Sequence, residues 1–267
     1  MIKTKNTWTT KKAIKIIICI SFLLIISCED ENSKASAELK LQNENLTVSD
    51  LNESELIGKS FILYNIFPDY NISMSFYNSN NQVFGLAGVN TYRTSYTKNN
   101  GEVKFSGIAR TRMSGPRDIM DAENNFVKYL ENTKYMFLQD NDLVIITSDT
   151  TVLKFRENII DTNELNGKKF RLSNMFEGTE ITLSIENSSF VGNSGVNIYN
   201  IPFELNNNEI TIGQHGISTL MAGPENDMKA EDGYLKLLNS AKYISFDNYN
   251  LCIKTADNQI LLFDLTE

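Results

Sequence analysis

The sequence predicts an α+β protein made of two similar domains, each a curved antiparallel β-sheet with one α-helix. Three observations carry that expectation. Thr219-Leu220-Met221-Ala222-Gly223-Pro224 has a near copy, Thr111-Arg112-Met113-Ser114-Gly115-Pro116, 108 positions earlier. Gly88-Val89-Asn90-Thr91-Tyr92 returns as Gly195-Val196-Asn197-Ile198-Tyr199 after 107 positions. In both copies, short segments alternating between apolar and polar residues give way, just after the Gly-Pro, to one stretch of helical period.

The chain begins with a leader. Residues 1–27 hold five lysines (Lys3, Lys5, Lys11, Lys12 and Lys15) and no carboxylate, and Ile16 to Ile26 form an apolar run too short for a comfortable membrane span. Ser27-Cys28 closes the run and resembles the lipobox of bacterial lipoproteins. That resemblance implies a signal peptide over 1–27, with Cys28 diacylated by fatty chains such as palmitate and serving as the mature N-terminus. Ile26 departs from the small residue usual two places before the cysteine. An uncleaved N-terminal anchor is the alternative, and it exports the protein equally. Residues 28–50 are polar and acidic without apolar period, which predicts a flexible tether whose ends lie about 25 Å apart.

The first domain is expected over 51–158 and the second over 160–267. Gly58-Lys59-Ser60-Phe61 and Gly167-Lys168-Lys169-Phe170 open them. Ser60 to Tyr64 and Ile72 to Tyr77, like Ile181 to Ile185 in the copy, alternate as strands with one buried face. Asn99-Asn100-Gly101 and Asn206-Asn207-Asn208 supply hairpin turns. Ile119, Ala122, Phe126, Val127 and Leu130 share one helical face, as do Ala230, Tyr234, Leu237 and Leu238. Each helix follows a proline, with Asp118 or Asp227 near its start. Strands resume at Tyr135, Leu143 and Val152, and in the copy at Tyr243, Leu251 and Ile260. The joint from Arg156 to Glu164 is short, so the two domains are expected to sit close.

Taken in order, Gly-x-x-Phe, Gly-x-Asn-x-Tyr, Thr-x-Met, one helix and a closing Leu-x-Phe strand resemble the META domain of HslJ-like bacterial envelope proteins, in both copies. The resemblance implies a small curved sheet with one helix per domain, no known catalytic residues, and an association with envelope stress tolerance, secretion or motility. Relatives typically carry cysteines, thought to pair, where this chain has Val89 and Gly115, and again Val196 and Gly223. Apolar burial around Val89 and Val196 is therefore expected to stabilise the junction instead.

Several chemistries are disfavoured. The formal charge is −8, and loss of the five leader lysines takes it to −13, which opposes nucleic-acid binding. Cys252 is the one cysteine past position 28, so no disulfide is expected within the domains, and Leu251-Cys252-Ile253 reads as buried. His215 is the one histidine and reads as a loop residue; no metal cluster, phosphate loop or cofactor is expected. Asp118 with Asp121 and Asp140 with Asp142 read as helix-start and turn residues.

Four of the six arginines, Arg93, Arg110, Arg112 and Arg117, fall within 25 positions of the first copy. The second copy has Asn200, Ser218, Leu220 and Glu225 in their places. Arginine suits bidentate contact with carboxylate or phosphate, so an anion-binding patch for lipid headgroups or an acidic partner is one reading. Pairing with the many Asp and Glu side chains is the other. Gly88, Asn90, Thr111 and Met113, with Gly195, Asn197, Thr219 and Met221, are expected to be structural: Gly and Asn in left-handed turns, Thr and Met in strand packing. The function expected is that of a non-catalytic, lipid-anchored protein at the periplasmic or surface face of the envelope, binding an unidentified protein or ligand. The alternatives are a cryptic cell-wall hydrolase acting through carboxylates or Ser/Thr, and a carrier of small ligands in the mouth of a sheet.

Overall fold

The computed structural model describes residues 51–266 apart from 78, 79 and 215; the leader, Cys28, the tether and His215 lie outside the described residues. The first unit opens with a single helical turn, α1 (Glu53–Leu56), absent from the sequence expectation. Then come β1 (Lys59–Leu63), β2 (Ser73–Phe76), β3 (Gln82–Leu86), β4 (Thr91–Asn99), β5 (Glu102–Arg110), helix α2 (Arg117–Glu131), β6 (Thr133–Gln139), β7 (Asp142–Thr147) and β8 (Val152–Glu157). The second unit repeats the plan: α3 (Thr162–Leu165), β9 (Lys169–Leu172), β10 (Thr182–Glu186), β11 (Ser189–Asn193), β12 (Ile198–Asn206), β13 (Glu209–Ile212), β14 (Ile217–Ser218), α4 (Glu225–Asn239), β15 (Ala241–Phe246), β16 (Asn250–Thr255) and β17 (Ile260–Leu265).

Both sheets are antiparallel and curl into barrels. The first runs β5-β4-β3-β2-β1-β8-β7-β6, and its two ends come alongside each other where Lys134 Nζ lies 3.9 Å from Glu102 Oε1. The second runs β11-β10-β9-β17-β16-β15-β13-β12-β14, and a further ladder between β11 and β12 closes it. In the second barrel that ladder pairs strand edges that an open sheet would leave bare, whereas in the first the end strands adjoin without one. Alternation sets the faces: along β4, Tyr92, Thr94 and Tyr96 point inward while Arg93 and Thr97 face out. Asn100 and Gly101, at φ of 51° and 81°, give the two-residue turn that matches strand twist.

Each long helix lays its apolar stripe across its own barrel, burying Ala122, Phe126, Val127 and Leu130, or Ala230, Tyr234 and Leu238. Pro116 and Pro224 stand at the caps without a side-chain hydrogen bond. The aspartates expected near the helix starts do something else. Asp118 accepts from Tyr70 Oη at 3.2 Å and Asp227 from Thr179 Oγ1 at 2.7 Å, so each pins the long loop between the first two strands to the first helical turn.

The two units are packed together. Tyr77 of the first joins Cys252 and Ile260 of the second in one buried apolar cluster. Ser245 Oγ donates to Gly58 O at 2.7 Å, and Asn158 Nδ2 to Phe246 O at 2.9 Å. Asn208, read as a turn residue, is buried and clamps the joint: its Oδ1 accepts from Ile160 N and its Nδ2 donates to Asn158 O. The Tyr243 ring lies between the ammonium groups of Lys59 and Lys254, at 5.6 and 5.7 Å.

Candidate functional site

The repeated motifs converge on a buried carboxylate that the sequence analysis did not single out. Glu123, on the apolar face of α2 and 1% exposed, accepts from the backbone N–H of Val89 (3.1 Å) and Asn90 (2.9 Å), from Asn90 Nδ2 (3.0 Å) and from Arg110 (3.0 Å). Glu231 of α4 does the same with Val196 N, Asn197 N and Asn197 Nδ2, and takes a fourth bond from Ser194 Oγ at 2.6 Å. Burial pushes the Glu231 carboxyl upward, but the bonds from Ser194, Asn197 and Val196 outweigh it and hold the group below the usual carboxylate range.

The asparagines complete the net. Asn90 Oδ1 accepts from Thr111 Oγ1 (2.8 Å) and Met113 N (2.7 Å), while its Nδ2 also reaches Met113 O. Asn197, Thr219 and Met221 repeat those bonds. Two of the roles expected for the motif residues differ in the structure. It is Gly88 and Gly195, at φ of 141° and 124°, that take the left-handed backbone; Asn90 and Asn197 serve through their amides. Met113 and Met221 contribute backbone groups, and their side chains stand about half exposed rather than packed.

The tyrosine of each Gly-x-Asn-x-Tyr lies across a glycine on the neighbouring strand. Tyr92 pairs with Gly85 and donates to Ser73 O at 2.9 Å; Tyr199 pairs with Gly192 and donates to Thr182 O at 2.9 Å. A Cβ on Gly85 or Gly192 would fall 2.1 or 2.0 Å from those same carbonyl oxygens, so neither position admits a side chain. Val89 and Val196 are only half buried, and each sits directly on Gly115 or Gly223. The stabilising burial expected around the valines is therefore partial, and the junction is held largely by the polar net beside them.

The four arginines are engaged differently. Arg117 is fully exposed and loosely paired with Asp121 at 3.9 Å, and Arg112 is exposed on the loop before α2. Arg110 is committed to Glu123 and also reaches Asn124 at 3.3 Å. Arg93 is exposed, makes no hydrogen bond or ion pair with another described residue, and shares a recess with Arg110. This recess, of about 550 Å³, lies at the seam: the outer face of β3, β4 and β5 forms one wall, and the turn after β15, with Asp247, Tyr249 and Asn250, forms the other. Asp247 Oδ1 accepts from Tyr249 N (3.0 Å) and Asn250 N (2.7 Å), and burial raises its carboxyl above the usual range.

A family model described as the META domain matches twice, over residues 41–159 and 162–267. The chain belongs to the META domain family. A Burkholderia xenovorans protein solved by NMR matches at 16% identity and a TM-score of 0.35, over 42% of this chain and 92% of that one. A second NMR structure matches at 19% identity and a TM-score of 0.34, over 40% and 94%. No curated protein matches.

The two META units keep the buried glutamate and change its fourth donor. Where the first has Ala87 and Arg110, the second has Ser194 and Ser218, so Arg110 in one and Ser194 in the other complete the same shell. The presence of a glutamate at i+4 from Ile119, in line with the apolar stripe and repeated 108 positions later, was the signal that marks Glu123 and Glu231 in the sequence. Asp142, read as a turn residue, accepts from Tyr64 Oη at 2.6 Å. Among the described residues no group of three or more His, Cys, Asp or Glu side chains is placed to hold a metal ion. Cys252 is fully buried at the seam, and burial pushes its thiol up to about 12, which leaves it unreactive.

Proposed function

We propose that this tandem META protein is a non-catalytic component of the bacterial cell envelope, anchored through lipid on Cys28 at the periplasmic or surface face, and that it binds an envelope protein or ligand. The tether of 28–50 then holds the two units clear of the headgroups. The observation that carries the binding reading is Arg93, a guanidinium with no hydrogen-bond or ion-pair partner among the described residues, in a recess between the units. The non-catalytic reading is supported by how the most buried glutamates are used. Each is saturated by fixed donors, and Glu231 sits below its ordinary range, the opposite of a general acid. The barrel interiors are filled by side chains such as Phe61, Phe155, Phe190 and Phe263, which leaves no room for a ligand inside them. Stress tolerance, secretion and motility remain the settings that family membership suggests.

Two measurements test this. Labelling of growing cells with an alkynyl palmitate analogue is expected to mark the protein, and Cys28→Ala to abolish the label and release the protein from the membrane fraction. Retention of both by the variant would refute the anchor. A photo-crosslinking amino acid in place of Tyr249 is expected to give an adduct of defined mass in intact cells, lost on Arg93→Ala. No adduct, or one unaffected by Arg93→Ala, would refute binding at the seam.

A further inference from the structure

We infer that the seam recess receives the free carboxy-terminus of a peptide chain, with the terminal carboxylate on Arg93; this rests on the recess being the binding site. The argument is one of charge and neighbours. Arg93 sits in a cross-strand row, directly opposite Phe84 on β3 and Ala109 on β5. A flat ring on one side and a methyl group on the other leave the guanidinium fork uncovered. Such a fork matches a carboxylate through two parallel N–H···O bonds. Arg110 adds positive potential, but its guanidinium is already engaged by Glu123 and Asn124.

The opposite wall decides the ligand class. Asp247 is part of that wall, 6% exposed and with its Oδ1 taken by Tyr249 N and Asn250 N, so it lends the wall negative character without offering a free acceptor. A phosphate dianion gains Arg93 but meets Asp247 and the acidic background of the whole chain. A neutral sugar leaves Arg93 unused. A terminal peptide residue suits both walls: a monoanion for Arg93, with a smaller charge than phosphate to set against the acidic side. Its side chain finds Phe84, Ala109 and the half-exposed Tyr249 ring. At about 550 Å³ the recess is of a size for a few residues and not a long segment. The second unit provides an internal contrast. Its positions equivalent to Arg93 and Ala109 are Asn200 and Ile217, paired across β12 and β14, so the cationic row belongs to the first unit alone.

The test uses the full-length protein in detergent, titrated with a degenerate mixture of N-acetylated tripeptides prepared as free acids or as C-terminal amides, and separately with inorganic phosphate. The side-chain Nε–H signals of the arginines are followed by NMR. The expected result is a shift of the Arg93 signal by free acids, at least tenfold weaker response to amides, and no competition from phosphate at equal concentration. Arg93→Ala is expected to erase the acid preference and Arg93→Lys to retain part of it, while Arg112→Ala changes nothing. Amides binding as well as acids, or phosphate displacing the acids, would overturn the carboxy-terminus proposal while leaving a binding recess. Silence of Arg93 toward all three probes would overturn the proposal and the recess together.

Discussion

Replacing Glu231 by alanine is expected to cost about 4 kcal/mol of stability, because four donors lose their acceptor inside the protein at once. Ser194 Oγ, Val196 N, Asn197 N and Asn197 Nδ2 all converge on that carboxylate, which is 5% exposed. Water cannot reach all of them without opening the loop from Ser194 to Asn197. That loop holds Asn197, and Asn197 in turn holds Thr219 and the Met221 backbone ahead of the helix. The loss therefore spreads from one side chain to the approach of α4. Glu231→Gln keeps the shape but turns an NH2 toward these donors, and is expected to cost about 2 kcal/mol. Urea unfolding should show both effects, with Glu225→Ala, exposed in the first turn of α4, changing little. A loss under 1 kcal/mol for Glu231→Ala would show that the net is incidental to the fold. The pH dependence follows in sign. The folded group lies below its ordinary value near 4.5, so its contribution is complete above that value and is lost as pH falls through the lower, folded pKa. Glu231→Gln should flatten this part of the acid limb. Asp247 acts in the opposite sense: its raised carboxyl favours folding when protonated, and this advantage is lost as pH rises through its folded pKa.

Much of the fold was legible because a duplicated sequence repeats its own punctuation. The strands named from alternation, the Asn100-Gly101 turn and both long helices sit where turn residues and period place them, whereas β3, β4, β11, β12 and β14 were not singled out. The polar net was less legible for a physical reason. A glutamate in an apolar stripe reads as a solvated edge unless its partners are known, and those partners are backbone amides some 33 residues earlier in chain, brought near only by barrel closure. The same holds for Asn65 and Asn174, whose amides replace strand pairing by bonding Val152 O with Lys154 N, and Ile260 O with Leu262 N. The arginines show the converse. Proximity in sequence groups all four, but alternation along β4 and β5 sends Arg93 outward and Arg110 toward α2, where Glu123 engages it. The recess could not be read from sequence at all, since one of its walls comes from a turn in the other unit.

A disulfide is expected to form if cysteines replace Val196 and Gly223, and likewise Val89 and Gly115. A Cβ built on Gly223 lies 3.3 Å from Val196 Cβ, and one built on Gly115 lies 3.3 Å from Val89 Cβ. Disulfides span about 3.5–4.5 Å between Cβ atoms, so each loop needs to open by only a few tenths of an ångström. Neither glycine has a positive φ, and the backbone accepts a side chain there once the valine is removed. Closing a loop of about 27 residues restricts the unfolded chain enough to stabilise by about 3.5 kcal/mol, which corresponds to a rise of about 10 °C in Tm for a chain of this size. The single variants set the sign of the effect. Gly223→Cys alone drives its Cβ to 2.5 Å from Val196 Cγ2 and should lower Tm, while Val196→Cys alone removes a half-buried methyl and should change it little. Only the oxidised double variant gains, and dithiothreitol should reverse that gain, with buried Cys252 unmodified throughout. Thermal melts with and without reductant, together with intact-protein mass after alkylation, decide the matter. If the double variant stays fully alkylatable under oxidising conditions, the valine and glycine of each unit do not face each other, and their correspondence to the paired cysteines of other META domains fails.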